Sequence, residues 1–251
     1  MPEVTLLAAL MAAAFAGAFL QSAIGFGFAL IAAPVFLLAM QSTAAMQVLV
    51  AIHVVQSAIL VPGLWRKAPR SLLVPMLIGS LAGVPIGIGI LLALDLNTLK
   101  LTVGLVMLLF TVLLIVRDTG ALKRWLSSTG APGFPAAASV GLSAGALTSV
   151  LVLPGPPLIL YVAARNMEKA ESRALSLTFF AFCYVAVTLT HALGLGMSRE
   201  VWTLVGWLSP AVVVATVLGA IFARSLSEEW FRAGIMAISL VSGLWLVWSA
   251  L

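Results

Sequence analysis

The sequence predicts an all-α, multi-pass membrane protein made of two inverted repeats. Each repeat holds a broken or re-entrant helical segment followed by three transmembrane helices. Three observations predict it. Hydrophobic residues make up 63% of the 251-residue chain against 8% charged, and the mean hydropathy is +1.19. Two apolar stretches are too long for one crossing and carry Gly/Pro interruptions. The two interruptions recur at a nearly constant spacing. A soluble domain carries about 25% charged residues, so this chain cannot cover a water-facing surface. Lipid takes the place of water around its outside.

The net charge of +5 comes from 13 Lys+Arg against 8 Asp+Glu. The excess sits in a few short loops, which predicts cytoplasmic loops and not a nucleic-acid surface. One cysteine, Cys183, excludes an intramolecular disulfide, and no Cys/His cluster points to a metal. The first 65 residues hold no Lys or Arg. A signal peptide needs a basic start, so the first apolar stretch is expected to stay as structure.

Eight apolar segments follow in order: 4–40, 44–64, 71–94, 99–116, 136–164, 174–193, 201–223 and 233–251. About 20 apolar residues cross a bilayer, so the second, third, fourth, sixth, seventh and eighth are single crossings. The first is interrupted at Gln21-Ser22-Ala23-Ile24-Gly25-Phe26-Gly27-Phe28. The fifth is interrupted at Leu153-Pro154-Gly155-Pro156-Pro157. Three prolines in that run remove backbone donors and clash with the preceding turn, so no regular helix passes through. In hydrocarbon such a break survives only where it is buried in protein or lines a wet cavity.

At an offset of 128, Gly17-Ala18 matches Gly145-Ala146, Gly27 matches Gly155, and Leu30-Ile31 matches Leu158-Ile159. At 132, Gly87 matches Gly219, Leu94 matches Leu226 and Lys100 matches Arg232. This divides the chain into a first repeat, 1–120, a cytoplasmic linker, 121–135, and a second repeat, 136–251, forming one transport unit. If the fifth segment crossed once, the Lys+Arg residues would split seven to six between the two sides. If it enters and leaves on one side, eleven face Lys100 and Arg199 alone. The positive-inside rule favours the second arrangement. The fifth segment is then a hairpin of two half-helices. The first segment should match it, or cross twice. An odd number of crossings per half inverts the halves and puts the C-terminus on the non-cytoplasmic side.

Breaks at equivalent places in two inverted halves point to a transporter binding site. The half-helix starting at a break presents unpaired N–H groups and a positive dipole end, which bind oxyanions without a buried cation. Candidate substrate-binding residues are Gln21, Ser22, Gly25, Phe26, Gly27 and Phe28 at the first break. At the second they are Thr148, Ser149, Gly155, Pro156, Pro157 and Leu158. His53, with Gln56 on the same helical face, stands mid-span, where a titratable group is costly. His53 is the candidate for anion binding or proton coupling, against the alternative of a neutral core histidine.

Other features read as structure. Gly79, Gly83 and Gly87 form a small-residue packing stripe. Arg165, Glu168, Lys169, Glu171 and Arg173 read as a solvated turn, His191 as interfacial, and Cys183 as a small buried hydrophobe. Trp65, Trp125, Trp202, Trp207, Trp230, Trp245 and Trp248 read as interfacial anchors. Gly141-Leu142-Ser143-Ala144-Gly145 fits G-x-S-x-G, with His191 downstream, and keeps an intramembrane serine hydrolase as a remote rival. That motif needs a strand–turn–helix elbow and here lies in an apolar helix.

The run from Gln21 to Pro34 resembles the first-repeat motif of the TauE/SafE sulfite exporter family, and Gly155-Pro156-Pro157-Leu158-Ile159-Leu160-Tyr161 resembles the second. Gly79…Gly83-Val84-Pro85-Ile86-Gly87 is also similar. The chain departs from the family at Leu153-Pro154, where small or polar residues are usual. The resemblance implies a bacterial inner-membrane transporter of sulfite, organosulfonates or related small anions. Together with the breaks it leads to a secondary exporter working by alternating access. Uptake of malonate-like carboxylates is the alternative. No nucleotide motif is present, so neither ATP nor another cofactor is expected, nor any catalytic residue. The expected partners are a small anion and the lipid bilayer, not nucleic acid. The oligomeric state stays open between monomer and homodimer.

Overall fold

A computed structural model describes residues 2–116, 133–165, 167–223 and 228–251. Among these residues every regular element is helical. The helices are α1 (Pro2–Ile24), α2 (Phe28–Met40), α3 (Ala44–Leu60), α4 (Arg70–Ala93) and α5 (Leu96–Val116). They continue with α6 (Phe134–Leu151), α7 (Gly155–Ala164), α8 (Lys169–Thr190), α9 (Arg199–Phe222) and α10 (Glu228–Ala250). A π-helical turn, His191–Leu195, extends α8. Seven described helices are long and apolar enough to cross a membrane. Their outward faces carry bare apolar side chains such as Ile78, Leu81, Ile86 and Leu92. That surface is stable against lipid and not against water. The linker residues 121–132, and Arg117, Lys123, Arg124, Trp125 and Arg224, lie outside the described residues, as do the side chains of Trp230 and Arg232.

Helix ends follow local chemistry. Asp95 accepts from the Thr98 amide at 3.1 Å at the start of α5. Ser198 accepts from the Val201 amide at 3.3 Å at the start of α9. Both satisfy orphan first-turn donors. At the end of α2, Gln41 turns left-handed and its amide bonds the Leu37 carbonyl at 3.1 Å. Lys100, almost fully buried, donates to Gln41 Oε1 at 2.7 Å. That places a cation at the negative end of a helix.

Both expected breaks are present, but their arms are unequal. The first arms, α1 with 23 residues and α6 with 18, are both long enough to cross. The second arms, α2 with 13 residues and α7 with 10, are not. At 1.5 Å per residue α7 reaches only about 15 Å. The expected pair of half-helices is therefore corrected to one long and one short helix. The register is corrected too. From α1 to α6 the helix ends shift by 127 residues, Ile24 to Leu151, and so do the restarts, Phe28 to Gly155. Gly25 is thus equivalent to Val152, and Gly27 to Pro154.

Contacts between the halves keep that register. A side chain on Gly87 would meet the Ala146 carbonyl and Ser149 Cβ. One on Gly219 would meet the Phe19 carbonyl and Ser22 Cβ. The first long arm of each half packs on the third crossing of the other, α1 on α9 and α6 on α4, while α3 packs on α8 and α5 on α10.

Helix directions follow from the same contacts. Gly79, Gly83 and Gly87 meet Ala138, Leu142 and Ala146 in ascending order, so α4 and α6 run parallel. Gln47 reaches Gly196 and His53 reaches Tyr184, so α3 and α8 run antiparallel. The Phe134 and Lys169 ends therefore share the bundle face that holds Arg70. Gly104 lies against Gly243 and Val247, while Leu108 lies against Gly243. Antiparallel α5 and α10 thus place Leu251 at the opposite face.

Candidate functional site

The first break is a backbone event. The Gly25 amide still bonds the Gln21 carbonyl at 2.8 Å. Then Gly25 (φ 105) and Gly27 (φ 111) take conformations that L side chains rarely adopt. At the second break the Val152 amide bonds the Thr148 carbonyl at 3.0 Å and the Leu153 amide the Leu147 carbonyl at 3.5 Å. The bond from Val152 is that of an αL helix ending. Its left-handed residue is a valine (φ 57), where glycine is usual. A β-branched side chain there is strained, and such strain gathers at functional sites.

Two helices restart just after these turns. Neither Gly27 before α2 nor Pro154 before α7 supplies a side-chain cap. The first-turn amides of a helix have no intrahelical acceptor. In α7 Pro156 and Pro157 have no N–H, so its first turn offers the amides of Gly155 and Leu158 alone. Between the two restarts lies a small cavity of about 10 Å³, lined from both halves of the chain.

Gln21, Phe26, Gly27, Gly155 and Pro156, all expected site residues, line this cavity. The other candidates stand behind its wall. The Ser22 hydroxyl donates to the Ala18 carbonyl at 2.7 Å. Gln56 Nε2 donates to that carbonyl at 2.8 Å and to Ser22 Oγ at 3.1 Å. Thr148 Oγ1 donates to the Ala144 carbonyl at 2.6 Å. Ser149 Oγ lies 3.1 Å from the carbonyls of both Val84 and Gly145. Gln56 thus fastens α3 to α1, and Ser149 fastens α6 to α4, while the Thr148 bond stays within α6. Phe28 and Leu158 are fully buried and Pro157 is half-buried, all off the cavity wall, as is Gly25.

His53 is fully buried, with ring centroids of Phe28 and Tyr184 each 4.1 Å away. Its Nδ1 lies 2.7 Å from the Leu49 carbonyl. A carbonyl only accepts, so Nδ1 carries the proton, and Nε2 is a bare acceptor with no partner. His53 therefore stands one ring behind the cavity.

Several wall residues carry no sequence signal beside the breaks. Tyr184 and Phe180 come from α8 and Phe110 from α5. The Tyr184 hydroxyl interacts with the Gln21 side chain. One signal was available: the chain has two tyrosines, and a polar-tipped aromatic inside a span usually finds a partner. No Lys or Arg stands among the described wall residues.

The solvated turn expected around Arg173 is corrected. Lys169 to Arg173 form the first turns of α8, and Arg173 is half-buried. Its guanidinium donates to the Ser22 carbonyl, and its stem covers Gly25. A cation thus closes the negative end of α1 at the break. His191, expected at an interface, is 1% exposed. Cys183 is buried as expected.

The hydrolase pattern dissolves into packing. Ser143 Oγ bonds the Ser139 and Val140 carbonyls within α6 at 2.9 and 3.1 Å. Gly141 and Gly145 let α6 approach Met76 and Ser80 of α4. No curated protein and no solved structure matches the chain. The family described as sulfite exporter TauE/SafE matches residues 9–246, nearly the whole length. The chain, with its broken helices and apolar crossings, belongs to this sulfite exporter family, whose members are membrane transporters and not enzymes.

Proposed function

We propose that this protein is a secondary exporter of small organic monoanions, organosulfonates before sulfite, across the bacterial inner membrane. One observation carries the reading: two uncapped helix starts, from opposite halves of the chain, meet at one cavity. Amides and dipole ends there supply partial positive charge, and Gln21 and Tyr184 supply side-chain donors. No Lys or Arg is among the described wall residues, and the Arg173 guanidinium beside the first break is already engaged by the Ser22 carbonyl, so a second negative charge would be poorly compensated in low dielectric. This favours a sulfonate over a malonate-like dianion. Phe26, Phe110 and Phe180 offer an apolar surface to an organic body, which bare sulfite lacks.

Alternating access follows if the two halves rock about this cavity. The exchange of partners between the halves supports an inverted arrangement, as does the shared face of the Phe134, Lys169 and Arg70 ends. The Arg70 face is then cytoplasmic, and Leu251 lies on the far side. A reporter fused after Leu251 is expected to be active only outside the cytoplasm; cytoplasmic activity would end this topology.

The decisive experiment is thermal stabilisation of purified protein by an anion panel. A ligand at 100 times its Kd stabilises by about 2.7 kcal/mol. Ethanesulfonate and benzenesulfonate should raise the melting temperature most, sulfite less, malonate and phosphate least. Equal shifts for all, or none, would overturn the substrate class.

His53 is the coupling candidate, because its bare Nε2 can take a proton and its ring lies against that of Tyr184 on the wall. In proteoliposomes, sulfonate flux should respond to an imposed proton gradient, and His53→Ala should lose that response. An unchanged response would make His53 purely structural.

A further inference from the structure

On α8, Tyr184, Thr188 and His191 follow at spacings of four and three, which puts them on one helical face. Tyr184 lies on the cavity wall. His191 is 1% exposed, and neither of its ring nitrogens has a hydrogen-bond partner. The Thr188 hydroxyl is buried and unpartnered as well. Its neighbour Thr190 makes the usual bond to its own helix, donating to the Ala186 carbonyl at 2.8 Å. Thr111, Thr148 and Thr216 do the same. Three unpartnered polar atoms thus stand on one face, starting one turn from the cavity.

Buried polar atoms without partners are rare, and each costs free energy. In hydrocarbon nothing else can satisfy them. The helix also changes pitch here, because His191 opens the π-helical turn His191–Leu195. Such turns are frequent at functional sites. The turn ends at Gly196, whose carbonyl accepts from Gln47 Nε2 of α3 at 3.3 Å. Seven residues of helix, about 10 Å, separate Tyr184 from His191.

We propose that the Tyr184–Thr188–His191 face of α8 is the aqueous vestibule between the cavity and the bundle face that holds Gly196. The arrangement seen here is the vestibule closed. When the halves part, water and the departing anion take up the bonds that Thr188 and His191 lack. This inference rests on the transport reading for the anion, not for the water.

The test is cysteine accessibility in proteoliposomes, with a negatively charged, membrane-impermeant methanethiosulfonate on both sides of the bilayer. Cys183 is first replaced by alanine. Thr188→Cys and His191→Cys are then compared with Val185→Cys and Leu189→Cys, whose side chains point outward, 40% and 54% exposed. Each variant is first shown to be monodisperse. Thr188→Cys is nearly isosteric, so the test survives if His191→Cys fails to fold. Labelling at 188 and 191 should be at least tenfold faster than at 185 and 189. Equal rates at all four positions would overturn the vestibule. Fast labelling with no anion stabilising the protein would leave the vestibule standing and end the transport reading. Anion stabilisation without fast labelling would end the vestibule alone.

Discussion

Anion flux through Gly27→Val is expected to fall more than tenfold, to the background of protein-free liposomes. Gly27 has φ 111, a conformation closed to valine, and it stands on the cavity wall. Forcing an L side chain there costs on the order of 1–3 kcal/mol of strain. The chain can relieve the strain only by re-aiming the start of α2. In the proposed site, that start is where amides point at the anion. Even a misplacement of about 1 Å costs on the order of a hundredfold in positioning. Gly27→Ala should show the same defect more mildly.

Gly155 provides the contrast. It is not among the residues with positive φ, and a Cβ there would meet nothing nearer than Ile159 Cδ1 at 3.8 Å. Gly155→Ala should melt within a few degrees of wild type. Flux assays and thermal melts on the four purified proteins read both effects. Wild-type flux in Gly27→Val would remove the first break from the binding site.

The largest loss of stability is expected from Gly83→Leu. A Cβ on Gly83 would overlap the backbone carbonyl of Leu142, and one on Gly79 that of Ala138. From the other helix, a Cβ on Gly141 would overlap the Met76 carbonyl. Backbone meets backbone along this interface, so no side-chain rotation can make room. The helices must separate, and that removes dispersion contacts along the whole seam. Overpacking a core commonly costs about 1–3 kcal/mol even where side chains can yield. Here the carbonyls cannot. Gly83→Leu should give little or no monodisperse protein. Gly89→Leu is the control, because nothing lies within 4 Å of a Cβ at that position of the same helix. It should express and melt like wild type. Size-exclusion profiles of the two variants check this. A monodisperse Gly83→Leu would mean that α4 and α6 do not meet as described.

The two helix breaks were legible in the sequence because proline and paired glycines act locally. The cavity-lining residues next to them, Gln21, Phe26, Gly27, Gly155 and Pro156, were legible for the same reason. The register between the repeats was misread by one residue, since glycine was matched with glycine. The backbone instead aligns Gly25 with Val152, two positive-φ residues of different type. Helix termination needs a left-handed turn, and residue identity only biases that turn. Arg173 looked like a solvated loop charge because its neighbours are charged. Only folding shows that it reaches α1, 151 residues earlier in the chain. Tyr184, Phe180 and Phe110 looked like core aromatics. In an apolar chain a wall residue and a packing residue have the same chemistry, and the difference lies in what faces them.

The amino-acid sequence by itself determined the solvent this chain folds in, where its helices break, and which loops carry positive charge. Each of these depends on the residue and its near neighbours: transfer free energy, the missing proline donor, the freedom of glycine. The tertiary structure alone decided that the two restarts meet at one cavity, that the glycine stripe seats a parallel helix, and that His53 stands one ring behind the wall. Those outcomes depend on contacts between residues far apart in the chain, and lipid-facing, packing and cavity-lining positions share one apolar alphabet. Where every surface is greasy, hydrophobicity cannot tell inside from outside, and close packing settles it.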